Sequence, residues 1–486
     1  MSLTSAIRTA QSSLLNTALQ TVVTSRNIAE ASNENYSRRD AILVSSDSGA
    51  RVVSILRATD KKLLWDGLQA YAESNAQSVI SEGADRLQRL INGVENGTAP
   101  ATLLSSFEDA LQLYSNDASN TLLASSVIDY AKELVDGLNS SSLAIQSYRA
   151  EIDQEIKGAV AELNDLLAKF KDVNDEIVQG TIVDADVNDA LDERDSLLKE
   201  ISQYVSVSVV QRDNNDYVLY TGQGVTLFET IPREVTFDPL TVYSPGVTGN
   251  SIRIDGIPVI GGVGANTSSS GKLSAMVQMR DSVAVDMQSQ LDEIARGLVT
   301  IFAESDTSGV GPDLVGLFTW SGAPAIPAAG TIETGIAMSI SVNPAYDPTV
   351  GGDPEYLRDG GFNGPAYDWN TTNGTGFSDR LIGYLEAMSA PIPTDINAGI
   401  AGTYSISEYA ESSLGWLESL RSRASDAADS KAALYERLNT ALLSETGVNI
   451  DEEMAILIDL EQAYQASARI VQAVDEMLDS LLSVVR

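Results

Sequence analysis

The most chemically suggestive run in the chain is Asp184-Ala185-Asp186-Val187-Asn188-Asp189, with Asp195 six residues further on. Oxygen ligands at alternate positions, a sharp turn and a closing two-oxygen ligand are what a calcium loop needs. Here the sixth position, normally the turn glycine, is Asp189, and the twelfth, normally a chelating Glu, is Asp195. Both departures weaken the loop. The same letters are good helix N-cap residues, so a helix opening at about Asp189 is the better reading. Gly222-Gln223-Gly224 and Gly261-Gly262-Val263-Gly264 do not sit between a strand and a helix, so they read as turns between strands rather than dinucleotide loops. The carboxylate clusters in 451–453 and 475–479 fall on helix faces, and no acid pair stands out for general acid–base work.

Composition removes most other chemistry. The 486 residues include no Cys and no His, which excludes disulfides, thiol nucleophiles, imidazole catalysis and zinc fingers. No catalytic residue, cofactor site or metal site is expected, and the chain reads as a non-enzyme. With 31 basic and 68 acidic residues its net charge is −37, a surface that repels a phosphate backbone, so nucleic acid is not an expected partner. No run approaches the 18 to 20 apolar residues of a membrane span, so no membrane partner is expected either. The opening MSLTSAIRTAQSSLLNTALQ has no apolar core and does not read as a cleaved secretory signal. Hydrophobic residues make up 43% of the chain, enough to bury a core, and the length suits two to four domains.

The two ends are helical. Leu3, Ile7, Ala10, Leu14, Thr17, Thr21, Thr24 and Ile28 alternate steps of three and four, a heptad-like seam softened by three threonines. At the other end Ile456, Leu460, Ala463, Ser467, Ile470, Val474, Met477, Leu481 and Val484 repeat the pattern, with Met454, Leu457, Tyr464 and Val471 in a second row. Asp451 to Arg486 contains no Gly or Pro, and acids in its first turn suit the helix dipole. Such helices are marginal alone and need partners, so the ends are expected to stay unpaired in the monomer and to order when neighbours bury their seams. Further helices are expected over Ser119–Phe170, Leu273–Ala303 and Ile406–Leu443, packed as an antiparallel rod. The period changes to two in Tyr204–Val210 and Tyr217–Tyr220, a hairpin whose Asn214-Asn215 turn is expected to tolerate insertion. Strand-like pieces follow through Ile260, and 309–399 is rich in Gly, Pro, Thr and Asn.

Three segments resemble the flagellar axial family of rod, hook and junction subunits. Asn27-Ile28-Ala29-Glu30-Ala31-Ser32-Asn33-Glu34-Asn35-Tyr36-Ser37-Arg38 resembles that family's NIANANTPGYSR signature. Its Pro-Gly turn is replaced by Glu34-Asn35, where asparagine can still take a left-handed conformation. The run GVNIDEEMAILIDLEQAYQASARIVQAVDEMLDSLL resembles the family's closing motif. The helix around Asn188-Asp189-Ala190-Leu191-Asp192-Glu193-Arg194-Asp195 is similar to one in the junction members, whereas rod and hook subunits have β-rich middles.

The resemblance implies an extracellular structural subunit at the hook–filament junction, exported by the flagellar type III route. The partners it implies are copies of the chain itself, hook protein, a second junction protein, filament protein and an export chaperone. Assembly contacts are then expected at Leu3, Ile7, Leu14, Asn27, Ile28, Tyr36, Ser37 and Arg38, and at Met454, Leu457, Tyr464, Ile470, Val474, Met477 and Leu481. The expected fold is mainly α with a β-rich middle. It divides into a terminal paired-helix domain of coiled-coil type (1–50 and 448–486), a helical rod (51–203, 265–308 and 400–447), a β-hairpin region (204–264) and a loop-rich insertion (309–399).

Overall fold

The computed structural model describes residues 3–46, 49–260 and 270–485. The chain opens with helix α1 (Leu3–Glu30), followed by the hairpin β1 (Arg39–Ser46) and β2 (Gly49–Arg57). Helices α2 (Lys61–Asn92), α3 (Pro100–Asn116), α4 (Thr121–Ile182) and α5 (Asn188–Tyr204) come next. Strands β3 (Val207–Gln211), β4 (Tyr217–Thr221) and β5 (Thr226–Phe228) form one antiparallel sheet. Strands β6 (Val235–Thr236), β7 (Ile252–Ile254) and β8 (Ile257–Ile260) form another. Helix α6 (Lys272–Gln278) continues through a π-turn at Met279–Val283 into α7 (Ala284–Ile301). Among the short elements that follow is α8 (Asp379–Ser389). Two long helices, α9 (Ile406–Thr446) and α10 (Ile450–Val485), close the fold.

The chain forms two compact units, one of residues 1–74, 162–234 and 430–486, the other of 75–161 and 235–429. Helices α2, α4 and α9 each contribute to both, so the units cut across the regions expected from sequence. The helical periods are present as helices, and α4 runs to 62 residues, further than its apolar repeat suggested. Residues 39–46 and 49–57, assigned above to helical regions, are instead paired antiparallel strands with a bulge at Ile42/Leu43. The signal was there: two β-branched runs flank Ser45-Ser46-Asp47-Ser48-Gly49. The Gly261–Gly264 turn lies outside the described residues.

In the second unit Phe107, Phe302, Phe318 and Tyr384 stack with centroids 4.7–5.7 Å apart, mostly edge to face. The 309–399 segment has little regular structure, and buried carboxylates give its backbone and side chains their partners. Glu304, fully buried, accepts from Asn363 N and Nδ2 (both 2.9 Å), Phe362 N (3.3 Å) and Tyr346 Oη (3.1 Å). Asp292 on α7 accepts from Gly335 N (2.8 Å) and Ala337 N (2.9 Å).

In the first unit the 213–216 turn is held from beneath. Buried Arg194 donates to the Asn215 carbonyl (2.5 Å) and to Asn174 Oδ1 (3.0 Å), and its guanidinium lies 3.4 Å from the Tyr217 ring centroid. Asn174 in turn donates to Asp216 (2.7 Å). Asn214 and Asn215 adopt positive φ, as the turn reading requires, but the turn is anchored rather than free.

Candidate assembly interface

Helices α1 and α10 lie against each other within the first unit. The inward positions on α1 include Ala10, Thr17 and Thr24, with Leu3, Ile7, Leu14 and Ile28 half-buried on the same stripe. The threonines fit because their hydroxyls turn back onto their own helix. Thr17 Oγ1 donates to the Ser13 carbonyl (2.9 Å) and Thr21 Oγ1 to the Thr17 carbonyl (2.8 Å), leaving methyl groups to pack. Ser13 and Ser467 hydroxyls meet across the pair at 2.7 Å.

On α10 the buried residues are Glu453, Leu460, Ser467 and Val474, seven apart, so one heptad position faces α1 throughout. This sorts the expected contact residues. Val474 is 3% exposed and Leu457 half-buried, whereas Met454, Tyr464, Ile470 and Met477 stand 44–49% exposed on the flanks. Leu15, Leu19 and Val22 are likewise exposed on α1. The backbone of Leu481 continues the helix, but its side chain lies outside the described residues.

The turn after α1 is built around Asn27, which is 1% exposed. Its Oδ1 accepts from Tyr36 Oη (2.8 Å) and Arg39 N (3.0 Å), and its Nδ2 donates to the Arg39 carbonyl (2.9 Å). One amide thereby closes the chain from the end of α1 to the start of β1. Burial raises the Tyr36 phenol above its ordinary range. Asn35 does not take the left-handed conformation allowed above. Asn33 supplies the turn instead: its Oδ1 accepts Asn35 N (3.1 Å) and its carbonyl accepts Tyr36 N (3.0 Å), an arrangement needing no positive φ. Ser37 N approaches Asp192 (3.4 Å), and Arg38 N donates to the Thr446 carbonyl (2.7 Å), tying the turn to the end of α9.

Sequence reading passed over the residues that hold this corner. Asn16 accepts Val52 N (3.0 Å) and donates to the Ala50 carbonyl, fastening α1 to β2. Asp189, Asp192 and Asp195 recur every three residues along one side of α5 and face three arginines. Asp189 meets Arg26 (2.7 Å) and Arg39 (2.5 Å), Asp192 meets Arg39 and Arg57 (both 2.9 Å), and Asp195 meets Arg57 (2.7 Å). Burial raises the Asp195 carboxyl despite Arg57. At Asp189 burial is outweighed by hydrogen bonds from Arg26 and Arg39, which leave it below its ordinary value.

The calcium candidate resolves as a helix entry, with α5 opening at Asn188. Asp189 and Asp195 are engaged by arginines, and Asp186 accepts Asn188 N (3.1 Å) and Nδ2 (2.7 Å) at the helix entry. Among the described residues no group of three acids, His or Cys is placed to hold a metal. Arg39, next to the expected contact residue Arg38, is 3% exposed and bonded within its own chain.

A family model described as the helical domain of flagellar hook-associated protein FlgK matches residues 84–316. A second, described as the C-terminal region of flagellar basal body rod FlgEFG proteins, matches 441–484. Flagellar hook-associated protein 1 of Bacillus subtilis is 23% identical over 506 aligned residues, covering 95% of this chain and 94% of that one. Its namesake in Salmonella typhimurium is 25% identical over 224 residues, 44% of this chain and 40% of the relative. The solved flagellar hook junction protein FlgK from Burkholderia pseudomallei has the same fold, with a TM-score of 0.55 at 11% identity over 79% of this chain and 99% of that one.

Proposed function

This chain belongs to the family of flagellar hook-associated protein 1, and from that premise we propose that it is a structural subunit joining the flagellar hook to the filament. The observation that carries the reading is the α1–α10 pair, whose inner seam is closed while apolar side chains on both flanks of α10 stay half-exposed. Ile450, Met454 and Ile458 form one flank and Ile470 and Met477 the other, a pattern suited to a helix pair that packs laterally against neighbouring pairs. The role is architectural rather than catalytic. The partners are further copies of this chain, with hook protein on one side and the second junction protein and filament protein on the other. The subunit works outside the cell after export by the flagellar type III route, with an export chaperone as its partner before export. The rival reading, a hook or distal-rod subunit, fits less well, because the helical segment 84–316 resembles junction members. The test is a strain lacking this gene. It should build hooks of normal length that carry no filaments and shed filament protein into the medium, whereas truncated hooks or rods would favour the rival.

A further inference from the structure

The β1–β2 hairpin has two unlike faces. Register pairs Ala41 with Ile55 and Leu43 with Val52 on one face, where only Leu43 is exposed (44%), while Asn16 fastens the main chain of β2 along its edge. The other face carries Ile42, Val44 and Leu56, each 37–54% exposed, and Arg51 opposite Val44. A two-stranded sheet is marginal alone, and one with an apolar outer face calls for a cover. Charge identifies the cover. In a chain of net charge −37, residues 38–57 hold four arginines against two aspartates. Arg39 and Arg57 are taken up by α5, and Arg38 lies 3.5 Å from Asp40, which leaves Arg51 as the outer-face arginine with no ion pair among the described residues. Helix α10 has the opposite character, with eight acidic residues and one arginine, and none of those acids forms an ion pair among the described residues. Its flank Ile450–Met454–Ile458 recurs every four residues, so the three side chains share a face with Asp451 and Glu461.

We infer that the outer face of the β1–β2 hairpin docks on the Ile450–Met454–Ile458 flank of α10 in a second copy of this chain, with Arg51 set against Asp451 and Glu461. The inference rests on the assembly role proposed above and names the lateral contact through which it operates. Ile42, Val44 and Leu56 supply the apolar half of that contact, and the charge pair fixes which flank of α10 is used.

Because the chain has no cysteine, the contact can be read directly. Val44→Cys and Met454→Cys, introduced together into the full-length protein in the deletion strain, should give disulfide-linked multimers in isolated appendages under mild oxidation. The purified monomer should give none. In parallel, Arg51→Glu should reduce filamented cells by at least about fivefold, and adding Asp451→Arg with Glu461→Arg should restore them. Filamented appendages with no cross-link, together with an Arg51→Glu strain that swims normally, would overturn the docking while leaving the junction role intact. Cross-linking by Val44→Cys alone would mean that hairpins pair with each other, which also overturns it. A deletion strain that builds normal filaments would instead sink the junction role itself. If the cysteine pair prevents assembly, the charge-reversal series decides alone: failure of the α10 reversal to rescue a folded Arg51→Glu protein counts against the contact.

Discussion

Replacing Ile470 and Met477 together with aspartate should abolish filament attachment while leaving the free subunit folded. Both side chains are about half exposed in the single chain, at 49% and 48%. Full burial of such a side chain is worth about 1.5–3 kcal/mol, so each has about 0.7–1.5 kcal/mol left to gain from a neighbour. The pair therefore forfeits about 1.5–3 kcal/mol per subunit contact, and each carboxylate forced into an apolar contact adds about 1–3 kcal/mol. A total of about 3.5–9 kcal/mol is about 2.5–6.5 decades in association, enough to dissolve a lateral lattice. In the isolated subunit the same aspartates remain in water and should shift stability by no more than about 0.5 kcal/mol. Val474→Asp is the contrast, since this side chain is 3% exposed against α1. It should cost the subunit about 3–5 kcal/mol by burying an unpaired charge, and so melt the helix pair before any neighbour is met. Electron microscopy of appendages beside circular-dichroism melts of each purified variant separates the cases. Normal filaments on the Ile470→Asp, Met477→Asp strain would refute the lateral packing. A Val474→Asp melt identical to wild type would show that the ends are unpaired in the free subunit and order only on assembly.

Three further outcomes are expected. Asn27→Ala leaves Tyr36 Oη and both main-chain groups of Arg39 without partners and should cost about 2–5 kcal/mol by denaturant unfolding, against about 1 kcal/mol for Tyr36→Phe; equal effects would show that Asn27 does not hold the turn. Inserting two polar residues between Asn214 and Asn215 pulls the Asn215 carbonyl away from buried Arg194 and should cost about 1–3 kcal/mol; an unchanged melting temperature would restore the reading of a free turn. Burial pushes the Asp292 carboxyl up to about 6 against the backbone donors of Gly335 and Ala337. An acid whose folded pKa exceeds its unfolded value binds more protons when folded, so its contribution to stability grows as pH falls. Between pH 7 and pH 5 the gain should be about 1 kcal/mol, and Asp292→Asn should remove that part of the pH dependence in paired denaturant titrations.

Local pattern was enough for the helices, because a helix is specified by periodicity and by its ends. The three-four spacing from Leu3 to Ile28 marks the stripe that α1 turns inward, and the Gly447–Asn449 break separates α9 from α10 where Asn449 caps the next helix. The absence of Cys and His bounds the chemistry open to the chain. The hairpin turn at 213–216 was equally legible, because asparagine at positive φ is a local preference. Partner choice was not. On α10 several apolar rows are alike in sequence, and the one that closes contains Glu453 and Ser467 while Ile470 and Met477 stay outside. Only the rotation of α10 against α1 makes that selection. The corner network was hidden for the same reason: Asp192 and its partners Arg39 and Arg57 are 153 and 135 residues apart, and each reads alone as a surface charge. Sequence determines which stripes of this protein can be buried. The tertiary structure decides which of them are, because burial depends on what distant segment arrives to cover them.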